Sequence, residues 1–409
     1  MTVQDNDIIK FKSSDFDFEL AINEETRAEE AKASFTKFTS DLLNLENLIV
    51  LAGSGTSLTF NPQNSDSYFA PSMWHLWEIC KKISSFDDVL AITKYSDIDP
   101  QGAIKPDIEK LLSLVDQCLG LVEDAQKSTL SDFKQEAIEA IFQATNFVLD
   151  KELELEESWA SHRQFINKFG QRKSKHSRLK IFTTNYDMAF EKAASDEGFV
   201  IIDGFDFSKP HRFNPMWYQY DIVRRSEHNG QQGAFLDNVL QLYKLHGSVD
   251  WRRMNGEVQK TTESESRGDK VIIYPSSSKY KTSYESPYMD MISSFTHALK
   301  QPNTGLVCVG FGFNDEHLNS AINMALRTNT SLHVLVATRS LFATTSSFNG
   351  HALNTFRTLI EKNNSKRIAL LDADFDSFIN LVPAHGKQSP DTLSFQAQLK
   401  TLLGGIQNA

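Results

Sequence analysis

The stretch Lys180 to Glu191, K-I-F-T-T-N-Y-D-M-A-F-E, constrains the fold more than any other part of the chain. A short apolar strand (Ile181, Phe182) breaks at Thr183-Thr184-Asn185 and turns into a helix near Asp187. Open α/β sheets bind their ligands at polar clusters of this kind, at the carboxyl end of a parallel strand and just ahead of a helix amino terminus. Asn185 and Asp187 are therefore the first candidates for chemistry. Leu48 to Ser57, L-I-V-L-A-G-S-G-T-S, and Leu242 to Trp251, L-Y-K-L-H-G-S-V-D-W, repeat the design. In one sheet the three would gather glycine-rich backbone, an amide–carboxylate pair and a histidine around one crevice.

The rest of the chain supplies such a sheet. Asn47 to Ala52 is a continuous apolar run, as a doubly buried parallel strand requires. Further strands are expected at Val200–Asp203, Gly305–Gly312, Ser331–Ala337 and Lys366–Asp374, with helices at Glu24–Leu43, Met289–Lys300 and from about Glu316 to Arg327. This alternation predicts an α/β fold, a Rossmann-like doubly wound, mostly parallel sheet. Between Ser57 and Lys180 the pattern is mostly helical: Ile108, Leu111, Leu112, Val115, Leu119 and Val122 share one helix face, and Phe133, Ala137, Ile141, Phe142, Val148 and Leu149 mark another. A large helical insertion is expected there. Lys209 to Glu227 reads as a long aromatic and basic loop, and Gly256 to Asp269 as a surface excursion.

Composition removes several classes. A formal charge of −11 argues against nucleic-acid binding over the whole surface. The run Arg163 to Lys180, with seven Lys or Arg and no Asp or Glu, is the exception, read either as a solvated helix end or as a DNA- or partner-facing patch. Cys80, Cys118 and Cys308 are far apart and odd in number, which suits neither a disulfide framework nor a zinc ribbon. The acidic amino terminus lacks signal-peptide character and no apolar run reaches membrane-span length, so a cytoplasmic protein without membrane contact is expected. Asp372, Asp374 and Asp376 open like a calcium loop, but Ser377 and Pro383 stand where that loop needs glycine and glutamate, and no metal is expected.

Each turn alone has an ordinary reading: tight turns need glycine, His246-Gly247 suits a turn, and Thr184-Asn185-Tyr186-Asp187 suits a helix cap. Taken in order, G-S-G-T-S, T-T-N-Y-D and K-L-H-G resemble the sirtuin catalytic core, joined by Gly310-Phe311-Gly312 and I-A-L-L-D-A-D-F-D-S-F. The zinc ribbon and the deacylase run after the first glycine loop are missing. With G-F-G-F-N-D-E-H, the chain is most similar to the sirtuin-like NADases of bacterial antiphage defence, in particular the subunit that works with a HerA-type hexameric DNA-translocating ATPase.

That resemblance implies an NAD+ glycohydrolase that releases ADP-ribose and nicotinamide in an abortive-infection complex. The acidic composition and the amphipathic amino-terminal helix suggest a high-order homo-oligomer; the resemblance adds NAD+ as a substrate, the HerA-type ATPase as a partner and DNA reached through the complex. It divides the chain into an N-terminal helical extension (1–45), a sirtuin-like NAD-binding domain (46–58 and 178–409) and a helical insertion (59–177). Cleavage of the nicotinamide–ribose bond expels a neutral leaving group, so water positioning and a base matter more than an acid. Asn185 would orient ribose and water, His246 would act as base through a ribose hydroxyl, and Asp187 would hold the nicotinamide amide. The pyrophosphate would meet the backbone N–H groups of Gly53, Ser54, Gly55 and Thr56, with the Ser54 and Thr56 hydroxyls assisting, near Ser57 and Thr184. Gly310, Phe311, Gly312 and Asn314 would border the adenosine ribose, and Ala373 and Asp374 the adenine. The competing readings are an NAD-dependent deacylase, a nucleotide-binding scaffold and a nuclease subunit.

Overall fold

The computed structural model describes residues 10–18, 24–61, 68–96, 98, 104–149, 159–173, 175–225, 233–261, 268–272, 286–342 and 350–383. Its centre is an eight-stranded sheet of β1 (Lys10–Lys12), β2 (Asn47–Ala52), β3 (Leu179–Thr183), β4 (Val200–Ile202), β5 (Val239–Lys244), β6 (Thr304–Val309), β7 (His333–Thr338) and β8 (Ile368–Asp372). The spatial order is β1-β8-β7-β6-β2-β3-β5-β4. Every pairing is parallel except that of β1, which lies antiparallel on β8. The doubly wound sheet read from the sequence is thus present, with an antiparallel edge strand that the polar amino-terminal stretch did not announce.

Alternation along the strands explains why both faces are covered. On one face Ile49, Leu51, Phe182, Leu306 and Val334 pack under α8 (Tyr288–Leu299), α9 (Glu316–Thr328) and α10 (Gly350–Glu361). On the other, Leu48, Val50, Ile181, Leu242 and Val307 pack under α1 (Glu24–Leu43), α6 (Ala160–Gly170), α7 (Ala189–Asp196) and α11 (Phe375–Leu381). Helices on both faces are what a parallel sheet needs, since its strands have no solvated side.

The helical insertion holds α2 (Met73–Cys80), α3 (Phe86–Thr93), α4 (Ile108–Cys118) and α5 (Asp124–Thr145). These four share a separate core built on Trp77, Phe86, Leu111, Val115, Phe133 and Ile141, which also takes in Tyr186 and Val249 from the sheet body. Of the apolar face expected along α4, Ile108, Leu111, Leu112 and Val115 are buried, whereas Leu119 is the residue after its last turn and Val122 lies beyond it, both partly buried; Val148 and Leu149 likewise fall past the end of α5, in the short 3-10 turn Phe147–Leu149.

Two expectations change. A four-stranded antiparallel sheet takes in His211–Arg212 of the stretch read as loop and Glu257–Lys260 of the excursion, in the order Asp269–Ile272, Gly247–Met254, Glu257–Lys260, His211–Arg212. Its central hairpin turns at Asn255 and Gly256, both at positive φ, the geometry that an Asn-Gly pair favours between paired strands. Residues 262–267 of the excursion and 226–227 of the loop lie outside the described residues. The basic run is the second change, because most of it is spent on internal bonds. Arg172 Nη1 donates to the Leu43 carbonyl (2.6 Å), Lys168 Nζ to those of Ile379 (2.6 Å) and Val382 (2.8 Å), and Arg178 pairs with Asp221 (2.9 Å).

Candidate active site

The chain runs outward from β2 through β3 to one side of the sheet, then crosses to β6 and runs outward to the other side. The order therefore reverses between β2 and β6, where α/β sheets open a crevice at the carboxyl ends of their strands. The turns that follow are tied edge to edge by amides reaching the neighbouring strand. Gly53 N–H donates to the Val309 carbonyl (3.1 Å), Thr184 to Ala52 (3.1 Å), Leu245 to Thr183 (2.8 Å) and Gly310 to Ala337 (2.9 Å).

Gly53, Gly55 and Gly310 interlock backbone to backbone. A Cβ on Gly53 would lie 2.6 Å from the Gly310 carbonyl oxygen, one on Gly55 2.6 Å from Gly310 Cα, and one on Gly310 2.6 Å from Thr56 N. Gly310 also has φ +57, so glycine is required there both for space and for conformation. This interlock corrects the expected phosphate cradle. Three of the four amides from Gly53 to Thr56 are already committed, to Val309, to Gly310 (2.9 Å) and to Gly53 (3.0 Å), which leaves the Ser54 amide. The Thr56 hydroxyl is likewise turned inward. It donates to the Gly53 carbonyl (2.9 Å), accepts from Asn185 and is fully buried.

Asn185 follows β3, its amide N–H bonded to the Thr183 hydroxyl (3.1 Å). Its Nδ2 donates to Thr56 Oγ1 (3.0 Å) and Ser57 Oγ (2.9 Å), which fixes the side chain and leaves Oδ1 as the group for a ligand. Ser57 in turn donates to Asp187 Oδ2 (2.7 Å), and Asp187 Oδ1 accepts the Ala189 amide (3.0 Å) at the start of α7. Both Asp187 oxygens thus have partners within the turn. Beneath the turn, buried Lys244 donates to the carbonyls of Tyr186 (3.1 Å) and Asp187 and pairs with Glu191 (3.1 Å).

His246 follows β5 and is 4% exposed. Its Nε2 faces Asp315 Oδ2 at 3.2 Å, while its Nδ1 faces Glu109 Oε1 of α4 at 3.9 Å. Asp315 caps α9 through the amides of His317 (2.9 Å) and Leu318 (3.2 Å). Burial alone would raise the Asp315 carboxyl, but the His246 bond and charge and the two amides hold it below its ordinary value. Burial pushes Glu109 up to about 7, with Asp107 and Asp315 adding to the rise while His246 and the Tyr186 hydroxyl oppose it.

These groups line one cleft of about 1240 Å³. It brings together Asn185, His246 and Asp187 with Gly53, Ser54, Gly55, Ser57 and Thr184. Gly310, Phe311, Gly312 and Asn314 line it from the β6 side, and Ala373 and Asp374 from the end of β8. Of the residues assigned to the NAD+ site from the sequence, Thr56 alone is not among its lining. Asp374 caps α11 by accepting the Ser377 amide (2.8 Å), and Asp376 bonds Ser161, which ties α11 to α6. No group of three or more His, Cys, Asp or Glu among the described residues is arranged to hold a metal ion.

Residues 179–375 match the SIR2-like domain. The SIR2-like region begins with β3 and ends with the first residue of α11, so it holds Asn185, Asp187, His246 and the Gly310 turn but neither the first glycine loop nor Glu109. Among solved structures, a Sir2 with a deacetylated p53 peptide and 3'-O-acetyl ADP-ribose is 10% identical, with a TM-score of 0.36 over 84% of this chain and 95% of that one. A Sir2–p53 peptide–NAD+ complex is 11% identical, with a TM-score of 0.33 over 81% of this chain and 98% of that one. No curated protein matches the sequence.

Four residues of the cleft and its support escaped the sequence reading. Asp315 had a signal, an acidic residue just ahead of an apolar helix, where helix caps belong. Lys244 had another, a lone charge inside an apolar strand. Glu109 lies beside the apolar face of α4 and Arg339 one residue past β7, and neither position differs in pattern from a solvated charge.

Proposed function

We propose that this protein hydrolyses NAD+ to ADP-ribose and nicotinamide in the cleft at the ends of β2, β3, β5 and β6. The observation that carries the reading is the convergence of Asn185, His246 and the Gly53–Gly310 interlock on one cleft at the switch point of the sheet. The match of residues 179–375 to the SIR2-like domain supports it.

The chemistry follows from which atoms are left uncommitted. Asn185 Oδ1 accepts from a ribose hydroxyl or from water, because its amide hydrogens are held by Thr56 and Ser57. His246, its Nε2 side fixed by Asp315, keeps Nδ1 as the base, turned toward Glu109 of the cleft lining. As the C1′–N1 bond breaks, its electron pair neutralises the nicotinamide ring and positive charge moves onto the ribose. Asp187, Asp315 and the ionised fraction of Glu109 are carboxylates placed to stabilise it. Water then bonds to C1′ and its proton leaves through the base. The Ser54 amide and hydroxyl and the Arg339 guanidinium are the donors suited to the pyrophosphate. In this reading the protein acts with a HerA-type hexameric ATPase, as a homo-oligomer in antiphage defence; the motif order and the G-F-G-F-N-D-E-H stretch support that assignment.

Chromatography of NAD+ products, with and without the ATPase and DNA, tests the reading. Wild-type protein is expected to release nicotinamide and ADP-ribose, and Asn185→Ala or His246→Ala to lower turnover at least ~10²-fold without altering assembly. Intact NAD+ under every condition, or O-acetyl-ADP-ribose from an acetyl-lysine peptide, would overturn it.

A further inference from the structure

The His246 ring has one nitrogen committed and one not. Asp315 is a carboxylate held in its ionised form, so it can only accept, and Nε2 carries the hydrogen between them. In the neutral ring Nδ1 then holds the lone pair. That atom is buried and has no hydrogen-bond partner among the described residues. The polar atom facing it is Glu109 Oε1, 3.9 Å away. This is too long for a hydrogen bond, yet a single oxygen making two bonds of ~2.8 Å spans it. Glu109 lines the cleft with its side chain 20% exposed, and the Tyr186 hydroxyl donates to the same oxygen (3.1 Å). Tyr186 lies between Asn185 and Asp187 and is seated in the core of the insertion, so the position of Glu109 is tied to the turn that carries Asn185.

We propose that Glu109, delivered by α4 of the helical insertion, is a second base of the cleft and holds the attacking water between its carboxylate and His246 Nδ1. The inference rests on the reading of the cleft as an NAD+ hydrolase and names the group that makes water the acceptor. The water oxygen bonds to C1′ while the C1′–N1 bond breaks and its electron pair leaves on the nicotinamide nitrogen. The water proton passes to the Glu109 carboxylate and from there to solvent. The charged and titratable groups facing Glu109 are Asp107 of its own approach, Tyr186 of the β3 turn, His246 after β5 and Asp315 at α9. Burial and the two aspartates keep the carboxyl near half-ionised at neutral pH, where a general base is most effective. The insertion is then part of the chemistry, because a displaced α4 removes the base while Asn185 and His246 stay in place.

The test uses the full chain, measuring NAD+ turnover from about pH 5 to about pH 9 and NAD+ binding by calorimetry. Glu109→Gln keeps the shape of a carboxyl that is already partly neutral. It is expected to bind NAD+ within ~3-fold of wild type, to lower kcat ~10²-fold, and to lose the limb of the profile that rises through about pH 7. Azide added to Glu109→Ala is expected to restore nicotinamide release and to yield azido-ADP-ribose, since an anion needs no base. A Glu109→Gln protein with kcat within ~2-fold of wild type and an unchanged profile overturns the assignment of Glu109 alone. Restored release without the azide adduct also overturns it, and a wild type that cleaves no NAD+ overturns both this and the parent reading.

Discussion

At the scale of single residues, the cleft depends on backbone packing that leaves no room for a methyl group. Gly310→Ala must place a Cβ 2.6 Å from Thr56 N at φ +57, so it is expected to destabilise the fold by about 1–3 kcal/mol. Thermal unfolding checks this, and the loss should be accompanied by weaker stabilisation by NAD+; an unchanged midpoint would mean that the two turns are not locked together. Asn185, Asp187 and His246 were legible because each follows an apolar run that ends abruptly, and a parallel sheet brings such ends together. The role of Thr56 was not. A hydroxyl in G-S-G-T-S faces either the ligand or the loop's own carbonyl, and the choice is made by the short 3-10 helix Ser54–Phe60 that follows Gly53. Glu109 was hidden for a different reason: the helix pattern gives its face on α4, but nothing local says which body that face meets.

At the scale of elements, α6, α7, α11 and the 3-10 helix meet around His162. Its ring is fully buried, packs against Phe60 (4.8 Å between centroids), Phe375 (4.8 Å) and Phe190 (5.3 Å), and has no hydrogen-bond partner at either nitrogen among the described residues. Burial lowers its pKa to about 3, so the folded ring stays neutral where the unfolded ring takes up a proton. The folded state binds fewer protons, so this stability is present above about pH 6.5 and is lost as pH falls toward about 3. Between pH 7 and pH 5 the wild type should lose about 2 kcal/mol more than His162→Leu, measured by urea unfolding. Parallel losses in the two proteins would contradict it. Element boundaries were legible where the pattern was long: Glu24–Leu43 and Asn47–Ala52 fall where the sequence placed them. The small antiparallel sheet was missed although Asn255-Gly256 is a hairpin signal, because Thr, Ser, Glu and Arg around it dilute the period-two pattern of its strands.

At the scale of the molecule, the insertion has its own core, which takes in Tyr186 and Val249 of the sheet body, and Tyr186 also lines the cleft. Periodicity revealed that this segment was helical. Where it docks depends on contacts between residues far apart in the chain, such as the Tyr186–Glu109 bond across 77 positions, which no local pattern carries. The central claim is that one NAD+ molecule spans the cleft with its labile bond between the β3 and β5 turns. The most direct measurement is a crystal structure of His246→Ala, impaired in turnover, with NAD+ bound. The nicotinamide ribose is expected beside Asn185 and Glu109, and the pyrophosphate at Ser54 beside the Gly310 turn. NAD+ bound elsewhere, or bound with its nicotinamide end at Ala373 and Asp374, would contradict that claim.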